Sequence, residues 1–156
     1  MANVSKQIEI TVQSGTNTAT LGKLMAITVS CGAEVLAASS HWDRTGGAMR
    51  LVTEDGSRTM RALSNAGYTC RAAPVVLIEV PDKPGLAVQL GRKLTDAGIS
   101  LLYAYTFHSD DERCYVVFRT DDDDRALYLL ELDAMIHDLA AAKSWQPSLP
   151  AGGPGA

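Results

Sequence analysis

Stretches of alternating apolar residues are followed by stretches of helical apolar spacing, and this order occurs twice along the chain. In the first half, the pattern predicts a strand over 8–12 and a helix that ends at 31–32. A hairpin of two strands turning at 46–47 follows, and then a second helix that ends at Gly67. A short strand over 68–71 closes this half.

The second half repeats the order. The elements predicted there are a continuous apolar strand over 75–80, a helix that ends at Gly98, a strand over 99–107, a return strand over 114–119, and a long helix over 124–142. The glycines that end the first helix of each half, Gly32 and Gly98, lie 66 residues apart. A repeat of about this length therefore organises the chain.

Each half has the order strand–helix–strand–strand–helix with a last strand expected, which is the ferredoxin-like βαββαβ order. We therefore predict an α+β fold of two such units, with antiparallel sheets and the helices on one face. The units are predicted at 1–73 and 74–142, followed by a disordered tail over 143–156 that is rich in Pro, Gly and Ala.

The last strand of the second unit is not evident after its final helix. Either this strand is missing or another segment takes its place, because an exposed sheet edge invites pairing. Dimerisation through that edge is one solution.

Composition narrows the possible functions. The 156 residues are 46% hydrophobic and 21% charged, as in an ordinary globular protein. No apolar run reaches the roughly 18 residues of a membrane span, and no signal core is seen, so we expect a cytoplasmic protein without a membrane partner. The net charge of −4 disfavours nucleic acid as a partner. The three cysteines (31, 70 and 114) are odd in number and widely spaced, which predicts buried free thiols.

The loop before the second unit's first helix has the composition of an anion-binding turn. Its residues 81–86 read Pro-Asp-Lys-Pro-Gly-Leu, in which the prolines stiffen the backbone and Gly85 allows a ligand close approach. Free N–H groups at a helix start attract a carboxylate, and Asp82 could accept a ligand ammonium. Alternatively, Asp82 caps the helix and Gly85 serves packing.

Three segments of the second half, 80–86, 94–100 and 103–107, together resemble the ACT domain, a small regulatory module that binds amino acids. The first half continues the likeness over 50–52, 60–63 and 65–68. The whole is similar to stand-alone tandem ACT proteins over residues 7–139.

The resemblance implies a ligand held between the first loop of one module and the helix–strand element of its neighbour. The ligand-binding residues that it implies are Asp82, Pro84, Gly85, Leu86 and Ser100 from the second unit, and Ser14, Gly15, Thr16, Asn17 and Glu34 from the first. Ser100 stands where the family often has Asn. The first unit's loop lacks the Asp-x-Pro-Gly form.

The predicted function is an amino-acid-binding regulatory protein, a homodimer that modulates a separate metabolic enzyme. No nucleophile–base pair or carboxylate pair indicates an enzyme, and neither a cofactor nor a metal site is predicted. The acidic run 121–124 is interpreted as a helix start. The alternative is a ligand-free interaction or oligomerisation module that docks on a partner enzyme.

Overall fold

The computed structural model describes residues 3–15, 19–108 and 112–136. In these ranges the elements are β1 (Asn3–Gly15), α1 (Ala19–Ser30), β2 (Val35–Asp43), β3 (Gly46–Thr53), α2 (Gly56–Asn65), β4 (Cys70–Pro81), α3 (Leu86–Asp96), β5 (Leu101–His108), β6 (Arg113–Thr120) and α4 (Asp123–Ile136). The predicted α+β class and the two ferredoxin-like units are confirmed. The predicted end of the last helix and the predicted tail lie outside the described residues.

The strands form one antiparallel sheet in the order β2-β3-β1-β4-β6-β5. The first four strands along the chain give β2-β3-β1-β4, which is the arrangement of a complete ferredoxin-like unit. The second unit continues the same sheet with β6 and β5. As a result, β2 and β5 are the edge strands of the described sheet.

Strand β4 belongs to both units, whereas the sequence pattern predicted two separate strands over 68–71 and 75–80. It runs through Pro74, so the predicted unit boundary between residues 73 and 74 lies inside a continuous strand. Proline is tolerated there because pairing with β6 begins only at Val76. The carbonyl of Pro74 accepts a hydrogen bond from the Arg119 guanidinium, at 2.6 Å, in place of a strand partner.

Strand β1 supplies the last strand of the second unit. Its first part, residues 3–7, pairs with 75–79 of β4, and its second part pairs with 70–74. Another segment therefore takes the place of the strand that the sequence did not show. The sequence analysis offered dimerisation as one way to cover the edge of the second unit. In the structure, β1 of the same chain covers that edge.

Three apolar clusters hold this sheet and its helices together. One lies between the first half of the sheet and α1 and α2, and includes Ile10 and Leu63. The second lies under α3 and α4, and includes Ile78 and Phe118. The third lies on the face opposite the helices, where the sheet curves and β2 approaches β5 and β6. The two halves of the sheet thus pack on each other, with the helices outside.

Candidate functional site

The second-unit loop, residues 82–85, connects β4 to α3 and leaves the helix start without a side-chain cap. Gly85 is the N-cap residue, with φ of 82° in the left-handed region, and within the described residues the helix start has no side-chain capping hydrogen bond. A residue with a Cβ is strained in this conformation. Asp82 therefore does not cap α3, and a glycine rather than a side-chain oxygen stands at the start of the helix.

Asp82 lies beside this helix start with its side chain about half exposed. Its backbone N–H donates to the carbonyl of Glu112 at 2.9 Å, which fixes the loop to the beginning of β6. Its Oδ1 lies 3.3 Å from Nε2 of His108, the last residue of β5. The carboxylate is thus positioned by β5 and β6 while remaining open to a cationic group.

The other loop residues contribute through the backbone. Leu86 is 5% exposed because its side chain packs in the core under α3, so only its N–H can face a ligand. That N–H makes a long contact, 3.3 Å, with the carbonyl of Lys83. Pro84 and Gly85 are exposed beside it.

Lys83 is a loop residue that the sequence analysis did not single out. Its Nζ is buried, and among the described residues it has no hydrogen-bond partner. Burying an unpaired ammonium is unfavourable, and an anion bound at the loop would relieve that cost. A lysine in a loop between Pro81 and Pro84 ordinarily has a solvated side chain, so the sequence pattern did not indicate a buried one.

Ser100 lies at the opposite end of β5 from this loop. Its N–H donates to Oδ1 of Asp121 at 2.9 Å, and its carbonyl accepts from the N–H of Asp121 at 3.1 Å. Ser100 and His108 are eight residues apart along an extended strand, which corresponds to about 26 Å at a rise of about 3.3 Å per residue. Within one chain, Ser100 therefore does not meet Asp82.

Of the first-unit residues predicted before α1, the structure describes Ser14 and Gly15, which are the last two residues of β1. Ser14 is 6% exposed, and within the described residues its Oγ has no hydrogen-bond partner. Ser14 Oγ lies next to Gly47, and the ring of Trp42 packs on Gly47. Thr16 and Asn17 lie outside the described residues. Glu34 is exposed at the other end of β2, and its carbonyl accepts from the Glu54 N–H at 2.9 Å.

We expect Gly47→Ala to destabilise the first unit by about 1–3 kcal/mol, because overfilling a packed site forces neighbours to move. A Cβ at residue 47 would lie 2.2 Å from the Trp42 ring and 2.7 Å from Ser14 Oγ. Urea denaturation followed by circular dichroism measures the loss. The control is Gly22→Ala on α1, where a Cβ meets nothing within 4 Å and should not destabilise. Equal midpoints for the two variants would contradict the packing of Trp42 on Gly47.

Ser14 and the second-unit loop lie at opposite ends of the β1–β4 pair. Asn3 is paired with Glu79 near the second-unit loop, whereas Ser14 lies eleven residues further along β1. That separation corresponds to about 36 Å at a rise of about 3.3 Å per residue. Residues 82–86 therefore lie together, and Ser14 lies beside Gly15. Within one chain, these two groups of predicted residues are far apart.

An apolar groove of about 510 Å³ runs between α3 and the edge strand β5. Small residues of both elements make room for it, and Phe118 and Leu101 are among the apolar residues that line it. The residues that leave this space are Ala87, Gly91, Thr95, Ala104 and Thr106. The second unit therefore has an open apolar surface next to its free edge.

The acidic run 121–124 is engaged in local structure. Asp122 accepts from the Arg125 N–H at 3.0 Å, and Asp123 accepts from the Thr120 N–H at 2.9 Å, both at the start of α4. The described residues contain no group of His, Cys, Asp or Glu that could hold a metal ion. In the same part of the chain, no helix has both the length and the apolar character that crossing a membrane requires.

The family model of the ACT domain pair matches residues 3–140. Protein BT0572 from Bacteroides thetaiotaomicron superposes with a TM-score of 0.68 at 21% identity, over 85% of this chain and 90% of that one. The ligand-free regulatory subunit of aspartate kinase from Thermus thermophilus superposes with a TM-score of 0.59 at 12% identity, over 84% of this chain and 95% of that one. The regulatory subunit of aspartate kinase from Thermus flavus superposes with a TM-score of 0.58 at 11% identity, over 84% of this chain and 95% of that one. These structures share the fold. A search of curated proteins finds no match.

Proposed function

This chain belongs to the family of ACT domain pairs, and from that premise we propose that it is a regulatory, non-catalytic protein that binds an amino acid or a similar small carboxylate. The observation that carries the proposal is the uncapped start of α3 at Gly85, with the exposed carboxylate of Asp82 beside it. Through this binding the protein would modulate a separate metabolic enzyme. The three free cysteines suit a reducing compartment, and we propose the cytoplasm.

The two charged groups of an amino acid match the two charges of the second-unit loop. The α-carboxylate would accept from the first-turn N–H groups of α3, where the helix dipole is positive. The buried ammonium of Lys83 adds positive charge to the same loop. The ligand ammonium would lie on Asp82, so the ligand is oriented by opposite charges at its two ends.

We further propose that the site is completed by a second copy of the chain. Strand β5 is an edge of the described sheet and can pair with β5 of another copy about a two-fold axis. In an antiparallel pair centred on Ala104, Ser100 of the second copy lies opposite His108, which contacts Asp82. Dimerisation would thus bring together the predicted residues that a single chain separates by the length of β5.

The alternative function is an interaction module that docks on a partner enzyme without a ligand. The groove between α3 and β5 favours this function, because Val88, which lines it, is 67% exposed, and Leu102 on the edge strand β5 is 59% exposed. An apolar surface next to an unpaired strand edge is suited to a protein partner.

A thermal-shift screen against the twenty amino acids tests the proposal. A ligand at about 100 times its dissociation constant stabilises the native state by about 2.7 kcal/mol. For a chain of this length, we expect the Tm to rise by roughly 5–10 °C. Sedimentation velocity on the same samples tests the dimer, since a monomer at every concentration contradicts a shared site. A screen with no shift would leave the interaction module as the better function.

We expect Gly85→Leu to abolish the ligand-dependent shift, because its side chain occupies the surface that the ligand carboxylate must approach. Gly98→Leu is the matched control. Gly98 lies at the other end of α3 with φ of 80°, so Gly98→Leu has the same backbone strain as Gly85→Leu. A Cβ at residue 98 meets nothing within 4 Å, so the control adds no steric clash there. The ligand shift should be lost in Gly85→Leu and retained in Gly98→Leu. A normal shift in Gly85→Leu would show that the ligand binds elsewhere.

A further inference from the structure

A buried polar cluster joins the two units on the concave face of the sheet. Its centre is Glu9 of β1, which is 1% exposed. Both of its carboxylate oxygens accept hydrogen bonds from β5: the hydroxyl of Tyr105 donates to Oε2 at 2.8 Å, and the hydroxyl of Tyr103 donates to Oε1. These are contacts between strands that are not neighbours in the sheet.

Arg50 of β3 supplies the positive charge of the cluster. Its Nε lies 3.7 Å from Oε1 of Glu9, and its guanidinium carbon lies 4.5 Å from the centroid of the Tyr103 ring. The carboxylate therefore has a hydrogen-bond donor for each oxygen and a counter-charge. A buried ion is tolerated under these conditions, and removing one partner leaves the others uncompensated.

The two tyrosines remain donors at neutral pH. Burial, with the neighbouring Glu9 carboxylate, raises the pKa of Tyr103 to about 12 and that of Tyr105 further above its ordinary value. A neutral hydroxyl bonded to a carboxylate makes a strong, charge-assisted hydrogen bond. The cluster is therefore a firm contact between the first unit and the middle of β5.

In the proposed dimer, strand β5 contributes to both ligand sites, its own at one end and that of the second copy at the other. Ser100 immediately precedes it, and His108 at its end contacts Asp82. In the described sheet, its only hydrogen-bonded neighbour is β6, and β5 also packs against α3 and approaches β2. The cluster adds a polar contact that ties β5 to β1 and β3. A shift of β5 relative to β1 would therefore move part of each site.

We propose that Glu9 is a positioning residue, through which the first unit holds β5 and thereby sets the affinity of the second unit for its ligand. The ligand part rests on the proposed function. Because coupling between two sites is reciprocal, ligand bound beside β5 would in turn stabilise the packing of the two half-sheets. The first unit would then act on binding without contacting the ligand.

Hydrogen–deuterium exchange on the full-length, ligand-free protein tests the link itself. We expect Glu9→Gln to speed amide exchange in β5 at least about fivefold, the lower end of ordinary coupling, with a smaller effect in α2. Tyr105→Phe, which removes one hydroxyl and keeps the ring, should give the same selective effect and serves if Glu9→Gln does not fold. Ile10→Val is the matched control, because Ile10 is the next residue of β1 and packs on the opposite, helix-facing side. Equal acceleration in β5 and α2 would overturn the proposal.

A second measurement connects the cluster to the ligand. The probe is a mixture of the twenty amino acids at millimolar concentration, and the readout is the rise in Tm. We expect Glu9→Gln to reduce this rise and Ile10→Val to retain it, even if both variants have a lower starting Tm. An unchanged rise in Glu9→Gln overturns the role in affinity. If the unmodified protein gives no rise, the proposed ligand function fails, and the exchange experiment still decides whether Glu9 holds β5.

Discussion

Deleting residues 1–7 is expected to destabilise the second unit, although the deleted residues belong to the first. Residues 3–7 pair with 75–79 of β4 in the place of the second unit's last strand, and Val4 packs against the core under α3 and α4. Losing several strand hydrogen bonds and this apolar contact should cost on the order of 3–5 kcal/mol. The exposed Lys6–Asp124 ion pair adds little to that figure.

The loss of stability is measured by urea denaturation with circular dichroism as the readout. Hydrogen–deuterium exchange of the β6 amides shows whether the loss falls on the second unit. A variant with Ser5, Lys6 and Gln7 all changed to Ala is the control, since it keeps the backbone of the strand and removes only polar side chains. We expect this control to stay within about 1 kcal/mol of the unmodified chain. If the deletion is equally mild, β1 does not complete the second unit.

Local patterns predicted the order of elements because alternation and helical spacing depend only on neighbouring residues. They did not predict the shared strands. Residues 3–7 contain a single apolar residue, Val4, so the first part of β1 lacks the alternation that marks a strand. The predicted boundary between residues 73 and 74 divided β4, whereas the place of Pro74 just before the β6 pairing lets the strand continue.

In the candidate site, too, only the residues that are consecutive in the sequence could be predicted to lie together. Residues 82–86 could be predicted as a group because they are consecutive and their composition is that of a turn before a helix. The position of Ser100 depends on strand pairing, and in one chain it lies far from Asp82. Glu9 gave no signal, because a polar residue on an alternating strand ordinarily faces solvent. Here that face is covered by β5 of the second unit.

Raising the pH above 10 is expected to unfold the protein through Tyr103 and Tyr105. Burial, followed by the hydrogen bond to Glu9, raises the pKa of Tyr103 from 10.0 to about 12, and burial with the Glu9 charge raises the pKa of Tyr105 as well. The folded state therefore holds these protons more tightly than the unfolded state does. The stability that they contribute is complete below pH 10 and is lost as the pH rises from 10 through 12.

Tyrosinate absorbance and the free energy of unfolding, followed together between pH 9 and 12.5, test this expectation. Of the five tyrosines, two should ionise only in a later step that coincides with unfolding. Ionisation of either hydroxyl would put a second negative charge against the buried Glu9 carboxylate, with Arg50 as the counter-charge in the cluster. The later step should disappear when Tyr103 and Tyr105 are both changed to Phe. All five tyrosines ionising near pH 10 in a protein that stays folded would contradict hydrogen bonds from these hydroxyls to Glu9, and with them the contact that holds β5 to the first unit.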